Sequence, residues 1–372
     1  MAESHMRVLI APQEFKGSLS ADEAAAAIAA GIRAAQPDWM LDSLPMSDGG
    51  PGLLDAMRKA VAADTVATPV QDALGRKVLG RYVRLRSNGD VVIEAAQANG
   101  LLHVKPDELD PLYGDTFGVG ELILDAASSE PPRMIVGVGG SATNDGGAGM
   151  ARALGARFFD MAGNELPRGG APLANLERIE WSLPKPLEGI EILVATDVSN
   201  PLCGENGAAR VYGPQKGATP EQVDQLEAAL FRYAQVVRRH FGIDIANLAG
   251  AGAAGGLAGG LVAFLGARIQ SGFDLVAETS GFRDRLAAAD LVVTGEGHFD
   301  GQSLQGKVTG RIIDLARSAG KPTVLFAGAG EDAGDVELHT ISSMEPDSDA
   351  AMSHAAELLQ QLTSDWAKNQ SG

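Results

Sequence analysis

The chain has 372 residues, of which 45% are hydrophobic and 21% charged; these values are ordinary for a globular protein of about two domains and exclude an extended disordered chain. The formal charge of −18 at pH 7 disfavours a nucleic-acid partner, because neutralising phosphates needs a basic face. No apolar run of the ~18 residues that a membrane span needs is present, and a single cysteine, Cys203, excludes an intrachain disulfide framework.

The N-terminal segment predicts alternating strands and helices. RVLIAP (7–12) is an apolar run typical of a buried strand, and the residues before it lack a signal peptide, which favours the cytoplasm. Ser20 and Glu23 have the spacing of a capping box and predict a helix to about Ala35. A second strand at 40–46 is followed by a glycine-rich turn and another helix. This order predicts a parallel sheet with helices on its faces.

From about residue 64 the pattern changes. KVLGRYVRLR and DVVIEAA, joined through Ser87-Asn88-Gly89, predict an antiparallel hairpin. The next predicted elements are a helix near 118–128, strands at 134–140 and 191–197, a helix at 219–241 opened by Thr219-Pro220, and a Gly/Ala-rich helix or loop-helix at 249–267.

The C-terminal segment returns to the first pattern. It predicts a strand at 290–297, a helix at 305–319, a strand at 322–330, a short strand ELHTIS and a terminal helix at 348–368. Residues 1–63 plus 287–372 are therefore expected to form one doubly wound α/β domain, interrupted by an inserted α/β domain at 64–286.

Five polar, glycine-containing loops follow predicted strands, at the strand ends where ligands collect in open α/β sheets. Each loop alone is ordinary turn chemistry. Together they suit phosphates held by backbone N–H groups and a metal held by carboxylates. The five loops are APQEFKGS, PMSDGGPG, GVGGSATNDGG, VATDVSNPLCG and VTGEGHFDGQS.

Charged residues in these loops are candidates for phosphoryl transfer, which needs positioning and charge neutralisation. Lys16, in a Phe-Lys-Gly-Ser turn, suits a carboxylate or a transferring phosphate, and Lys216 and Lys307 are secondary phosphate candidates. Cys203 lacks a neighbouring histidine and is expected to be a buried small residue. The carboxylates that could bind Mg²⁺ or accept a hydroxyl proton are Asp48, Asp197, Glu296 and Asp300.

A dinucleotide-binding fingerprint is the main rival. Gly137, Gly139 and Ala142 fit G-x-G-x-x-A after a strand, and Asp160 follows at about the distance of the ribose-binding acid. Against it, Asn144-Asp145-Gly146-Gly147 falls where the helix should begin, and these residues are poor helix formers. A nicotinamide-dependent oxidoreductase remains an alternative.

The sequences of many segments, and their order along the chain, resemble those of the bacterial glycerate kinase family, of the glycerate 2-kinase type. The resemblance covers nearly the whole chain from Met6. The segments are FKGSLSA (15–21), DGG (48–50), LGR (74–76), GVGGSATNDGGAGM (137–150), LGARF (154–158), DVSNPLCG (197–204), GPQKGATP (213–220), GAGAAGGL (250–257) and TGEGHFDGQSLQGK (294–307).

This resemblance implies a flavodoxin-like doubly wound domain, interrupted by a second α/β domain, with the active site in the interdomain cleft. It implies Mg²⁺-dependent transfer of the ATP γ-phosphate to the 2-hydroxyl of D-glycerate, with glycerate and ATP as partners; a homodimer is left open.

The resemblance also assigns roles by matching motif. Lys16 and Asp197 would be catalytic, and Asp48 and Asp197 would bind the metal. The predicted substrate contacts are Gln13, Phe15, Ser18, Asp48, Arg76 and Asp300. The predicted nucleotide contacts are Gly139, Gly140, Ser141, Asn144, Asp145, Gly146, Gly147 and Glu296.

Three departures from the family pattern lie in the loops expected to line the site. The family usually reads APDSFKGS, where this chain has Gln13-Glu14, and DGGEG, where it has Pro51; His298 stands where an arginine is usual. A kinase of another small hydroxy acid or a polyol is therefore a live alternative.

Overall fold

A computed structural model describes residues 5–301, 303, 307–330 and 333–370. The strands are β1 (Arg7–Ile10), β2 (Met40–Ser43), β3 (Ala63–Gln71), β4 (Lys77–Leu85), β5 (Val91–Glu94), β6 (Arg133–Gly137), β7 (Arg157–Phe159), β8 (Arg178–Glu180), β9 (Glu191–Ala195), β10 (Arg268–Gln270), β11 (Leu291–Phe299), β12 (Thr323–Gly330) and β13 (Glu337–Thr340).

The helices alternate with these strands along much of the chain. They are α1 (Ala21–Ala35), α2 (Leu53–Ala60), α3 (Ala96–Asn99), α4 (Phe117–Ala127), α5 (Ala148–Ala153), α6 (Ala208–Tyr212), α7 (Pro220–Phe241), α8 (Leu257–Leu265), α9 (Gly272–Ser280), α10 (Phe282–Ala288), α11 (Val308–Ser318), α12 (Ser348–Ser353) and α13 (Ala355–Lys368). Within the described ranges, no helix is long and apolar enough to cross a membrane.

The chain divides into two compact units. The first unit contains the described residues of Met1–Asp48, Asp55–Val61 and Phe273–Gly372, and the second contains Gly49–Leu54 and Ala62–Gly272. The sequence predicts the inserted domain at 64–286, and those bounds stay a prediction beside this division. The division also separates Asp48 from the Gly49–Leu54 segment that follows it.

The sheet of the first unit has the order β2-β1-β11-β12-β13 with every pairing parallel. Numbered within the unit, this is 2-1-3-4-5, the flavodoxin-like order predicted from the family resemblance. The chain passes from one side of the sheet to the other between β1 and β11. This switch point is where doubly wound folds bind their ligands.

Helices α1 and α13 pack together in the first unit. Ser20 and Glu23 form the predicted capping box at the start of α1. A Cβ at Gly31 would lie 2.0 Å from Thr363 Oγ1 and 2.3 Å from the Gln360 carbonyl oxygen, so only glycine allows this close approach. The predicted terminal helix is divided into α12 and α13 at His354.

The second unit contains a six-stranded mixed sheet in the order β10-β9-β6-β5-β4-β3. Strands β5, β6, β9 and β10 are parallel, and β3, β4 and β5 are antiparallel, so the predicted hairpin of β4 and β5 is confirmed. Strand β3 was not predicted. Its sequence is polar and contains Pro69, which an edge strand tolerates.

Two helical predictions in the second unit can be compared directly with the structure. Thr219 and Gln222 form a capping box at the start of α7. The Gly/Ala-rich segment is a loop-helix: a 3₁₀ turn at Ala253–Gly256 precedes α8. Ala254 has φ +54 in that turn, which interrupts a continuous helix.

Candidate active site

A tight turn after β1 presents Lys16. Phe15 and Leu19 exchange backbone hydrogen bonds of 2.8 and 2.9 Å, and the Ser18 amide and hydroxyl both donate to the Phe15 carbonyl oxygen, at 2.8 and 3.0 Å. Gly17 supplies the positive φ, +85, that the turn requires. Phe15 is 1% exposed and anchors the turn, while Lys16 is exposed to solvent.

This turn lies directly against β11. The Gln13 amide donates to the Gly295 carbonyl oxygen at 2.8 Å, which extends the pairing of β1 and β11 past the end of β1. A Cβ at Gly297 would lie 2.9 Å from the backbone nitrogen of Lys16, so glycine is needed at position 297. The structure therefore brings Gln13 and Lys16 beside Glu296, at the switch point of the sheet.

The charges at this edge interact with each other. Burial raises the pKa of the Glu14 carboxyl most, the Asp48 carboxylate raises it further, and the Lys16 ammonium opposes both. Glu296 is 7% exposed, and burial raises the pKa of its carboxyl also. Two carboxyl groups here thus retain a proton more readily than a carboxyl in water. Glu14 was treated only as a departure from the family pattern, yet it belongs to this cluster.

Two further positions noted in the sequence, His298 and Asp300, lie near the end of β11 and just after it. The Ser303 amide donates to Asp300 Oδ1 at 3.0 Å, which forms a turn at the end of the strand. His298 is exposed and lies in register with Ala329 of β12. Gln302 and residues 304–306, the last part of the family segment, lie outside the described residues.

In the second unit, the Gly49–Leu54 segment crosses the carboxyl ends of the parallel strands. Gly49 has φ +92, and a Cβ there would lie 2.5 Å from the carbonyl oxygen of Ala195, the last residue of β9. A Cβ at Gly139 would lie 2.5 Å from the Gly50 Cα. These glycines let two backbone segments contact each other where β6 and β9 end.

The loop after β6 is exposed only at its tip. Gly139 is partly exposed and Gly140 exposed, whereas Ser141 is 4% exposed and both Asn144 and Asp145 are fully buried. Only the Gly139-Gly140 tip thus offers backbone directly to a phosphate. The predicted nucleotide contacts of Asn144 and Asp145 stay predictions, and their burial favours an indirect role.

Asp145 ties this loop to two helices. Its Oδ2 accepts hydrogen bonds from the Thr116 amide, the Thr116 hydroxyl and the Gly149 amide, at 2.8 to 2.9 Å, and its Oδ1 accepts from the Gly147 amide at 3.0 Å. Burial raises the pKa of Asp145, and the Asp115 carboxylate raises it further. The carboxyl group therefore joins the first turns of α4 and α5 rather than facing solvent.

Asp197 follows β9 and lines an open groove of about 550 Å³ within the second unit. Its side chain is exposed. The Val198 amide donates to Thr196 Oγ1 at 3.2 Å, which turns the chain just after the strand. Gln270 and Ser271, after β10, also line the groove. Asp197 thus stands at the same edge of the sheet as the loop after β6.

Arg76 lies at this edge too, since β4 runs antiparallel to β5 and begins where β5 ends. Its guanidinium pairs with Asp72 at 2.6 Å and Glu108 at 3.0 Å, and donates to the His103 carbonyl oxygen at 2.8 Å. Three protein acceptors hold the side chain in place. Its predicted substrate contact stays a prediction.

The rival fingerprint lacks its expected surroundings. In dinucleotide-binding folds, a helix begins within the glycine motif, so that its N-terminus meets the pyrophosphate. Here α5 begins only at Ala148, well after β6 ends at Gly137. Asp160 lies in a turn with Asn164 beside the two-stranded sheet of β7 and β8. This geometry disfavours a nicotinamide cofactor at this loop.

The sequence reasoning missed Glu94. This residue ends β5, is 4% exposed, and accepts a hydrogen bond from the Leu54 amide at 3.3 Å. It therefore fastens the Gly49–Leu54 segment to the sheet. The sequence contains a signal for this residue: Glu94 is an acid at the end of an apolar strand, and Asp197, which was predicted, follows an apolar strand in the same way.

No metal site is preassembled among the residues that the structure describes. Within the described ranges, no three His, Cys, Asp or Glu side chains are grouped to hold a metal ion. Mg²⁺ commonly uses one or two protein carboxylates together with substrate phosphates. The exposed Asp197 and half-buried Asp48 are the kind of donors this requires.

The two α/β units, one with a parallel sheet and one with a mixed sheet, carry glycines and carboxylates at the carboxyl ends of their parallel strands, which is where α/β proteins bind small ligands. Comparison with known sequences gives the family. The profile of the glycerate kinase family matches residues 8–370. The chain belongs to the glycerate kinase family.

Individual relatives agree. The chain is 42% identical to the glycerate 2-kinase of Escherichia coli (strain K12) over 341 residues, which are 91% of this chain and 90% of the relative. It is 39% identical to the glycerate kinase of Bacillus subtilis (strain 168) over 370 residues, 97% of each. A crystal structure assigned as glycerate kinase 2 from Salmonella typhimurium LT2 superimposes with a TM-score of 0.84 and 41% identity over 98% of both chains.

Proposed function

We propose that this protein is an ATP-dependent kinase that phosphorylates D-glycerate at its 2-hydroxyl. The observation that carries the proposal is the family match over residues 8–370, together with the Lys16 turn at the switch point of a flavodoxin-like sheet. We place the protein in the cytoplasm, with glycerate and ATP as its small-molecule partners.

The proposed reaction moves the γ-phosphoryl group of ATP to the glycerate hydroxyl oxygen. The bond from the γ-phosphorus to the bridging oxygen breaks, ADP leaves, and the hydroxyl proton passes to a carboxylate, for which Asp197 is the candidate. Phosphoryl transfer is catalysed mainly by positioning and charge neutralisation. The exposed Lys16 ammonium suits the substrate carboxylate or the transferring phosphate.

Both units contribute residues to this proposal. From the first unit, Gln13, Phe15, Ser18, Asp48 and Asp300 are assigned to the substrate and Glu296 to the nucleotide. From the second unit, Arg76 is assigned to the substrate and the Gly139–Gly147 loop to the nucleotide phosphates. Mg²⁺ would be held by Asp48 and Asp197 and would neutralise charge on the phosphates.

A different acceptor is the second candidate, and Pro51 is the observation that favours it. The family pattern that the sequence resembles, DGGEG, has a glutamate where this chain has Pro51. A Cβ at Gly140 would lie 2.5 Å from the Pro51 Cγ, so a neutral ring lies against the exposed tip of the loop after β6. This chain thus lacks at this position the carboxylate of the family pattern, and an acceptor other than glycerate is the second candidate for that reason.

A coupled ADP-release assay with Mg²⁺-ATP tests the proposal across glycerate, glycolate, threonate and erythritol. We expect release to depend on D-glycerate, and we expect enolase to consume the product directly, because enolase acts on 2-phosphoglycerate. A product that enolase uses only after phosphoglycerate mutase is added would move the reaction to the 3-hydroxyl. ADP release that depends on none of the four compounds would refute the kinase proposal.

A further inference from the structure

Lys216 is a fully buried lysine in the second unit, 1% exposed. It ends a short 3₁₀ turn, Pro214–Lys216, which is followed by Gly217 at φ +87. The Lys216 and Gly217 amides donate to the carbonyl oxygens of Gly213 and Pro214, each at 3.0 Å. The turn is therefore held by its own backbone, and it directs the long side chain inward.

The ammonium group of Lys216 contacts the buried half of the loop after β6. Its Nζ donates to the Thr143 carbonyl oxygen at 2.6 Å and to Asn144 Oδ1 at 3.3 Å. Both acceptors belong to residues with no solvent exposure. Burial lowers the pKa of Lys216 to about 7, and the facing Asp145 carboxyl opposes that shift. A phosphate in solution has no path to this group, which argues against the direct phosphate contact predicted for Lys216.

The same loop has fixed contacts on its other sides. The Asn99 side chain donates to Thr143 Oγ1 at 3.0 Å, and the Ala142 amide donates to the Asn99 carbonyl oxygen at 2.7 Å. A Cβ at Gly255 would lie 1.9 Å from the Thr143 carbonyl oxygen, so the backbone is pressed against the atom that Lys216 binds. Asp145 joins the far end of the loop to α4 and α5, as described above.

A short buried stretch of backbone connects the residues that Lys216 binds to the exposed tip. Thr143 is three residues beyond Gly140, and the residues between them are buried. The Leu101 amide donates to the Gly140 carbonyl oxygen at 2.9 Å. Because the short buried stretch of Ser141 and Ala142 joins Thr143 to Gly140, a displacement of Thr143 and Asn144 would strain this hydrogen bond and shift the backbone of Gly139 and Gly140.

We propose that Lys216 is a positioning residue: the N–H groups of its buried amino group fix Thr143 and Asn144 and thereby set the Gly139-Gly140 tip that receives the nucleotide phosphates. The second half of this proposal rests on the proposed kinase function. The first half concerns only the loop and can be tested without turnover.

Peptide-resolved hydrogen exchange tests the effect on the loop. Lys216→Met removes the ammonium and retains most of the side-chain volume, and Lys185→Met, at an exposed lysine of the same unit, is the matched control. We expect the amides of 139–147 to exchange roughly tenfold faster or more in Lys216→Met, with β11 unchanged. Unchanged exchange at 139–147 would overturn the proposal, whatever the protein catalyses.

Steady-state kinetics test the effect on the nucleotide. We expect Lys216→Met to raise KM for ATP by roughly tenfold or more while KM for glycerate stays within about twofold. Lys216→Gln, which keeps an N–H donor, should recover part of the loss. A lower maximal rate in proportion to the folded fraction, with both KM values unchanged, would indicate a structural role only.

The two proposals fail in distinguishable ways. Absence of ADP release that depends on any of the four acceptors would refute the kinase proposal for the wild-type protein, while calorimetric binding of Mg²⁺-ADP to wild type and variants would still test Lys216. If neither Lys216→Met nor Lys216→Gln folds, Lys216 is needed for the unit as a whole, and the positioning proposal is overturned.

Discussion

Replacing Gly49 with alanine should destabilise the second unit more than the same change three residues later. Gly49 and Gly52 have nearly the same backbone conformation, φ +92 and +88. Their surroundings differ. A Cβ at Gly49 would lie 2.5 Å from the Ala195 carbonyl oxygen and 2.9 Å from its carbonyl carbon, whereas a Cβ at Gly52 would meet nothing within 4 Å. The pair therefore separates the cost of the contact from the cost of the positive φ.

The magnitudes follow from these two terms. A positive φ costs an alanine about 1–2 kcal/mol, and the smaller entropy of the unfolded chain returns about 0.4–1 kcal/mol. Gly52→Ala should then lose about 1 kcal/mol of unfolding free energy. At Gly49 the Cβ meets strand backbone that cannot rotate away, and overpacking of this kind adds about 1–3 kcal/mol. We expect Gly49→Ala to lose about 2–4 kcal/mol in total.

Urea-induced unfolding followed by circular dichroism measures the difference. Gly49→Ala should also lower kcat, because Asp48 precedes the shifted residue and Gly139 lies against Gly50. Equal losses of unfolding free energy in the two variants would refute the reasoning, since the contact with Ala195 would then carry no cost.

Three further predictions concern single side chains. Lys16→Ala and Asp197→Asn should each lower kcat by on the order of 100-fold or more with a nearly unchanged melting temperature, and retained turnover would remove that residue from the catalytic assignment. The pKa of Lys216, about 7, lies below the 10.5 of an unperturbed lysine, so between these pH values the unfolded chain binds more protons than the folded one and the free energy of unfolding should rise with pH. From pH 7 to 9 the wild type should gain about 2 kcal/mol of unfolding free energy over Lys216→Met, a variant that keeps the facing Asp145. Parallel curves of unfolding free energy against pH for the two proteins would contradict this. Burial, with nearby carboxylates, raises the pKa of the Cys203 thiol from 9.0 to about 12. Because the thiolate is the reactive form, alkylation by iodoacetamide at pH 8 should become roughly a thousandfold faster when the protein unfolds. Rapid alkylation of the native protein would show that the thiol is exposed and ionisable.

Local signals in the sequence predicted most of the secondary structure. The capping boxes at Ser20 and Thr219 involve residues three apart, so the sequence contains all the information needed to place the starts of α1 and α7. Strand β3 was not predicted because it lies at the edge of the sheet beside β4, and an edge strand needs neither an apolar run nor a strict alternation.

For the candidate site, the sequence predicts which residues are involved but not which of them are exposed to solvent. Lys16, Asp48 and Asp197 follow predicted strands and Glu296 lies near the end of one, so the rule that ligands meet at strand ends selects them without coordinates. Which of the predicted residues face solvent was not predictable. Gly140 is exposed and Asn144 fully buried within one loop, because exposure depends on packing against segments that are distant in the chain.

The sequence by itself determined the family, the alternation of strands and helices, and the glycine- and acid-rich loops, since each depends on residues close together in the chain. Only the tertiary structure decided that Lys216 and Asp145 lie in the interior and that Glu94 binds the Gly49–Leu54 segment. Burial, and with it the pKa of a side chain and the cost of a Cβ, is set by atoms that folding brings together from far along the chain.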